Sequence, residues 1–446
     1  MIEQKKMHLT SLGCAKNLVD SEMMLGSLEL EGYTTVEDPA EAELLLINTC
    51  GFIRPAVEEA VDEILRLAEY KEDDPRKKLV VTGCMVQRYG KDLQDELPEV
   101  DFFVGIDEEK DIASLVNAWS PGSASLYLEG PSCFLADNKV PRRLATPFFR
   151  SYLKVTEGCD NHCTYCMIPK IRGDLRSRTV QDLLVEAQAL EQGGVKELCL
   201  IAQDLTAYGY DLGTGDNLVA LLKQLLAETN ISWLRLLYLY PSSVSVELLE
   251  LMAEQPRIVP YLDIPFQHVS DSVLQKMGRR YGQQDLEQLV SMIRRIVPNC
   301  ALRTTMMVGF PGETEEDVQI MLDCLQRWQL DHVGVFPYEA EQGSPAAELQ
   351  DKIERKVREE RYVRVMELQA EISTQRLEQY VGKKELVLVE GISRETDLLL
   401  EGRTRYQAPD IDGCVFINDG TASPGDIVTV EITEAHTYDL VGGIIS

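Results

Sequence analysis

This 446-residue chain has no uninterrupted apolar run long enough to span a bilayer, and residues 1–10 are charged and lack the apolar centre of a secretion signal. The expectation is a cytoplasmic protein without membrane contact. Cations are scarce. Lys and Arg number 44 against 74 Asp and Glu, a net charge of −30 with a pI near 4.6. That balance opposes unassisted binding to a polyanion and favours a basic partner, or simply solubility. The length allows two to four domains and a sizeable core.

Cysteine is not scarce. Eleven are present, an odd number, and disulfides do not persist in a reducing compartment, so metal ligands and buried thiols are expected. Cys159, Cys163 and Cys166 stand as C-x3-C-x2-C after an apolar run that reads as a strand. What this loop lacks is a fourth cysteine. Electron-transfer clusters normally take four, so a triplet suggests an iron left open for substrate; a structural zinc or a buried thiol cluster are the alternatives. The motif, with Tyr165 as its aromatic, resembles the signature of radical S-adenosylmethionine enzymes. The resemblance implies a [4Fe-4S] cluster on Cys159, Cys163 and Cys166 as the catalytic ligands, with S-adenosylmethionine on its fourth iron and the adenine near Tyr165.

In the amino-terminal third, apolar runs at 7–13, 43–49, 78–83 and 100–105 alternate with helical patterns at 17–30 and 55–70. Strands without polar alternation, separated by helices, predict a parallel sheet covered on both faces. Cys14, Cys50 and Cys84 each follow a strand, about one βα repeat apart. Parallel strands bring those three ends to one sheet edge, where sites of open α/β folds form. A second three-cysteine cluster is the expectation there, set against the ordinary buried cysteine.

Residues 121–144, with Pro121, Gly122, Gly130, Pro131 and Pro141, read as a linker in which Cys133 has no motif company. Beyond it, six strands are expected at 151–156, 197–202, 233–239, 259–264, 301–308 and 332–336, alternating with helices. Six βα units suit an open barrel, and the resemblance implies a partial (β/α)6 barrel with the triplet after its first strand. Carboxyl strand ends, where barrels work, carry Gln203, Tyr240, Gln267 and His268. Gln203 is read as a cofactor-site candidate and His268 as structural. Gly309 and Glu313 match the superfamily region that passes the cofactor ribose. Arg172, Arg176 and Arg178 are placed on a loop, either solvated or paired with a carboxylate of cofactor or substrate.

A charged amphipathic helix is expected over 351–380, followed by short strands at 384–390, 397–400, 415–418, 427–432 and 439–445. They predict a small antiparallel barrel, and position and length resemble a TRAM domain. Nucleic-acid binders of this kind are basic. From Tyr380 to Ser446 five cations face twelve anions, a net of −7.

Expected boundaries are therefore 5–120 for the amino-terminal α/β domain, 121–144 for the linker, 145–376 for the barrel and 377–446 for the TRAM-like domain. In that order they resemble the methylthiotransferase family. Residues 11–17 (Ser-Leu-Gly-Cys-Ala-Lys-Asn), 203–209 (Gln-Asp-Leu-Thr-Ala-Tyr-Gly) and 334–338 (Gly-Val-Phe-Pro-Tyr) resemble its ribosomal-protein branch. Leu205 stands where many such sequences have Thr, and Glu339 to Ser344 departs from their usual pattern. The resemblance implies two [4Fe-4S] clusters, the second on Cys14, Cys50 and Cys84, and S-adenosylmethionine as radical source and methyl donor. The implied substrate is an aspartate β-carbon of the twelfth small-subunit ribosomal protein, a basic partner. A sulfur donor and a flavodoxin-type electron donor complete the expectation. Transfer RNA as substrate, and a non-catalytic iron-sulfur scaffold, are the rival readings.

Overall fold

The computed structural model describes residues 5–445 apart from 122, 124 and 129; residues 1–4 of the charged start, Gly122 of the linker and Ser446 lie outside the described residues. The first six strands are β1 (Lys5–Ser11), β2 (Tyr33–Thr35), β3 (Leu44–Thr49), β4 (Lys78–Gly83), β5 (Phe102–Val104) and β6 (Leu126–Tyr127). They form one parallel sheet in the order β2-β1-β3-β4-β5-β6. Strand β3 is buried throughout, and its side chains alternate between two cores: Leu45 and Ile47 on one face, Leu44 and Leu46 on the other. Helices α1 (Ala15–Leu30) and α2 (Arg54–Asp73) cover the sheet. The edge strands β2 and β6 were not expected; two or three residues carry no readable periodicity. Strands β1 and β4 flank β3 with Ser11 level with Asn48 and Thr49 level with Gly83. Their three carboxyl ends therefore lie side by side.

Strand β7 (Arg150–Lys154) leads into a ribbon of β8 (Thr156–Glu157) against β9 (Arg176–Ser177), and the loop between them carries the cysteine triplet. Then come β10 (Glu197–Ile201), β11 (Trp233–Leu236), β12 (Ile258–Asp263), β13 (Ala301–Val308) and β14 (His332–Pro337). With β7 they make a six-stranded parallel sheet in the order β14-β13-β12-β11-β10-β7, an open barrel whose end strands do not pair. The helix Arg355–Glu378 follows. Strands β15 (Lys384–Ile392), β16 (Leu400–Thr404), β17 (Val415–Asp419), β18 (Ile427–Ala435) and β19 (Leu440–Ile444) close a small barrel, antiparallel except for the β17–β19 pair.

Strand β16 begins where the expected strand at 397–400 ends. Its Arg403 is buried and ion-pairs with Glu197 of β10, so a charge that reads as surface is in fact interior. The three parts share a core: Val19 and Met23 of α1 meet Tyr152, Trp233 and Tyr261 of the open barrel and Leu388 of the closed one. The linker is strapped down as well. Arg142 donates to Glu22 of α1 at 2.6 Å and to Glu186 of the barrel at 2.6 Å.

Candidate active site

Both cysteine triplets line one cavity of about 360 Å³ between the amino-terminal sheet and the open barrel. Cys14 caps the start of α1, Cys50 follows β3, and Cys84 opens the short helix Cys84–Tyr89 after β4. Glycines let these three approach. Gly13 sits at φ +92°, and a Cβ there would lie 2.8 Å from Cys50 Cβ; at Gly51 it would lie 2.6 Å from the Cys84 carbonyl oxygen. From the barrel side, Cys159, Cys163 and Cys166 reach the same cavity on the loop pinned by β8 and β9.

The donor set suits iron-sulfur ligation, because thiols are present as two triplets bordering the same cavity. Among the described residues, no three His, Cys, Asp or Glu side chains gather tightly enough to hold a single metal ion. In a four-iron cluster each cysteinate takes a different iron, so the sulfurs stand further apart than around zinc. Burial pushes Cys84 and Cys166 up to about 12 and Cys159 up to about 11, so a metal bound by these thiols would have to displace their protons.

A buried ionic network joins the two triplets. Arg172 donates to Glu157 at 3.1 Å, to Asp20 at 2.8 Å, to Asn17 Oδ1 at 2.7 Å and to Cys84 Sγ at 3.4 Å. Lys154 bonds both Asp20 and Glu157. Gln203 donates to Glu157 at 3.3 Å and lines the cavity with Tyr240 and Gln267. Burial alone would raise the Glu157 carboxyl, but Lys154 and Arg172 outweigh it and hold it at about 2.

Arg172, Arg176 and Arg178 correct the sequence-based expectation. Arg172 ends the helix Ile168–Arg172 at 2 % exposure, Arg176 lies in β9, and Arg178 pairs with Asp182 and Glu186. None is a solvated loop charge. His268 is buried, accepts the Ser270 N–H at 3.0 Å and is pushed by burial down to about 4, so it is neutral. Cys133 is exposed and its N–H donates to Asp107, away from both triplets. Gly309 and Glu313 do not line the cavity: the Glu313 carboxylate accepts the N–H groups of Gly309 and Phe310 and faces Arg361 at 3.3 Å.

Two cations in the cavity wall escaped the sequence. Arg279 donates to Tyr165 Oη at 2.7 Å and lies 5.8, 5.0 and 5.7 Å from the rings of Tyr165, Tyr240 and Tyr281. It stands in a loop with no motif to mark it. Lys16, beside Cys14, lies 3.0 Å above the ring of Tyr238. Its place in the stretch 11–17 was the available signal, masked by its neighbour's more conspicuous thiol.

Comparison with known proteins agrees with this architecture. Residues 6–105 match the model of uncharacterized protein family UPF0004, residues 153–325 the radical SAM superfamily and residues 381–445 the TRAM domain. Among solved structures, the radical S-adenosylmethionine methyltransferase TsrM of Kitasatospora setae superposes with a TM-score of 0.56 at 16 % identity, over 77 % of each chain. The cobalamin-dependent S-adenosylmethionine radical enzyme OxsB superposes at 0.51 and 11 % identity, over 82 % of this chain and 56 % of its own. These likenesses show the fold. Sequence goes further: the ribosomal protein uS12 methylthiotransferase RimO of Desulfotalea psychrophila is 56 % identical over 99 % of both chains. That of Citrifermentans bemidjiense is 46 % identical over 99 % of both. Identity of this extent, along a chain whose amino-terminal and radical SAM domains line one six-cysteine cavity, shows that the protein belongs to the RimO family of ribosomal protein uS12 methylthiotransferases.

Proposed function

We propose that this protein, in a family of uS12 methylthiotransferases with a radical SAM domain, places the methylthio group on an aspartate β-carbon of uS12. In this reading Cys159, Cys163 and Cys166 hold one [4Fe-4S] cluster, and Cys14, Cys50 and Cys84 hold a second. The observation that carries it is the single cavity lined by all six thiols. When bound, the two clusters and S-adenosylmethionine supply one-electron chemistry strong enough to break an unactivated C–H bond, together with the sulfur and the methyl group. A flavodoxin-type electron donor and a sulfur donor complete the reaction.

The chain's own residues seat these groups and keep water out. Arg172 donates to Cys84 Sγ and favours its thiolate, while Asn17 Oδ1 accepts from the Cys84 thiol. Tyr165, Tyr240 and Tyr281, stacked around Arg279, form a rigid aromatic wall on the barrel side, with a fixed cation for a carboxylate or an electron-rich ring. Gln203 tethers the adjoining strand end to Glu157.

Charge supports a protein substrate over transfer RNA. The closed barrel is acidic, and Arg403, one of its five cations, is spent on Glu197 inside the protein. A basic ribosomal protein is attracted to such a surface, and RNA is repelled. No helix is long and apolar enough to cross a membrane among the described residues. The test is intact-mass analysis of uS12 and of transfer RNA after anaerobic turnover with S-adenosylmethionine and a reductant. Gain of one methylthio group on uS12 is expected; gain on RNA alone overturns the proposal.

A further inference from the structure

Lys16 is a buried cation with no carboxylate at contact distance among the described residues; the opposing charges that bear on it are Cys14 and Asp263. It is only 8 % exposed and it lines the cavity. Acidic groups nearby are already committed. Asp263 accepts from Arg303 at 3.1 Å and from the Tyr238 N–H at 3.3 Å, and Glu157 is shared by Lys154 and Arg172. The start of α1 adds to the imbalance, because Cys14 offers it no side-chain cap and its first turn contains no acidic residue. Burying an unpaired ammonium is costly, and the Tyr238 ring returns only part of that.

Tyr238 is itself held in an unfavourable conformation. Its φ is +65°, a left-handed value rare for an aromatic residue, and its carbonyl is fixed by the Leu205 N–H at 2.9 Å. The amino-terminal domain supplies the ammonium and the barrel supplies the ring beneath it. Both side chains line the same cavity, and an anion entering it would pair with the ammonium.

We propose that Lys16, on its Tyr238 platform and beside the uncapped start of α1, binds the side-chain carboxylate of the acceptor aspartate. This rests on the aspartate reading above. Lys16 adjoins Cys14 of the amino-terminal triplet, whereas Arg279 bonds Tyr165 within the barrel triplet, so the two cations stand beside different triplets. Chemistry favours a grip at this point. The β-carbon is bonded directly to the carboxylate carbon, so an enzyme that fixes the carboxylate also fixes the atom to be modified. Asparagine has the same shape without the charge and gains nothing from an ammonium.

The experiment measures anaerobic equilibrium binding of reconstituted enzyme to two forms of uS12, the natural one and one with the modified aspartate changed to asparagine. Wild-type enzyme should prefer the aspartate form by roughly 10- to 100-fold, the range of one charge-assisted contact. Lys16→Met should bind both forms alike, at the weaker affinity and with unchanged iron content, and Lys16→Arg should keep the preference. A preference that survives in Lys16→Met, equal weakening of both forms, or no preference in the wild type overturns the proposal. A fall in iron in Lys16→Met assigns the residue to the cluster and also overturns it. If mass analysis of uS12 finds the methylthio group on a residue other than aspartate, the functional reading falls and takes this proposal with it. Loss of the preference argument while aspartate is still modified removes only Lys16.

Discussion

Arg172, carried by the open barrel, donates to Sγ of Cys84, carried by the amino-terminal sheet, across 3.4 Å, while the same guanidinium holds Asp20 and Glu157. One buried side chain thus connects the two halves of the site. Arg172→Met should leave Asp20 and Glu157 with Lys154 as their sole cation, costing about 3–5 kcal/mol. Guanidinium denaturation of the apoprotein measures this as a lower midpoint. Arg172→Lys should rescue it only in part, since a point charge cannot reproduce the forked contacts.

Iron content should divide between the triplets. Anaerobically reconstituted protein should carry roughly eight irons, each four-iron cluster needing three cysteinates here. Replacing Cys14, Cys50 and Cys84 by Ala should halve the iron and spare cleavage of S-adenosylmethionine. Cys163→Ala should abolish that cleavage. Elemental analysis and deoxyadenosine assay read these separately.

Gly13→Ala tests the packing of the amino-terminal triplet. A Cβ there meets Cys50 Cβ at 2.8 Å in a backbone with φ +92°. The strain is about 1–3 kcal/mol, and it is relieved by moving Cys14 away from Cys50. Iron should fall toward the value of the triple variant lacking Cys14, Cys50 and Cys84. Gly32→Ala, with open space around its Cβ, controls for backbone strain alone.

Acid should loosen the contact between the two barrels. Burial alone would raise Glu197, but Arg403 and Arg235 outweigh it and bring it from 4.5 to about 2. A carboxyl whose folded value lies below its unfolded one adds stability above the unfolded value and loses it as pH falls through the folded one. Stability from Glu197 is therefore full above pH 4.5 and lost toward pH 2, about 3 kcal/mol in all. Glu157 titrates in the same direction and window. Glu197→Gln should melt lower at pH 7 and lose less on acidification, as followed by thermal denaturation of the apoprotein.

Much of this was legible in the chain. The strands of both parallel sheets announce themselves as apolar runs because they are buried on both faces, as the fully buried Leu44–Thr49 shows. The cysteines could be placed at strand ends by counting alone. Interior charges were not legible. Nothing in the chain marks Arg172, Arg403 or Lys154 as interior, and only the fold supplies the carboxylates that allow their burial. Glu313 shows what strand-end position alone leaves open. Its strand-end position is shared with cofactor-binding residues, yet its carboxylate turns back onto its own loop.

The size of the cavity also limits what can be modified. At about 360 Å³, the space bordered by both triplets has to hold whatever the six thiols bind as well as the residue to be modified. A target side chain presented on a protruding loop asks for less of that space than one carried in by a helix about 10–12 Å across, so the shape of the partner's loop should screen substrates before any side chain is read.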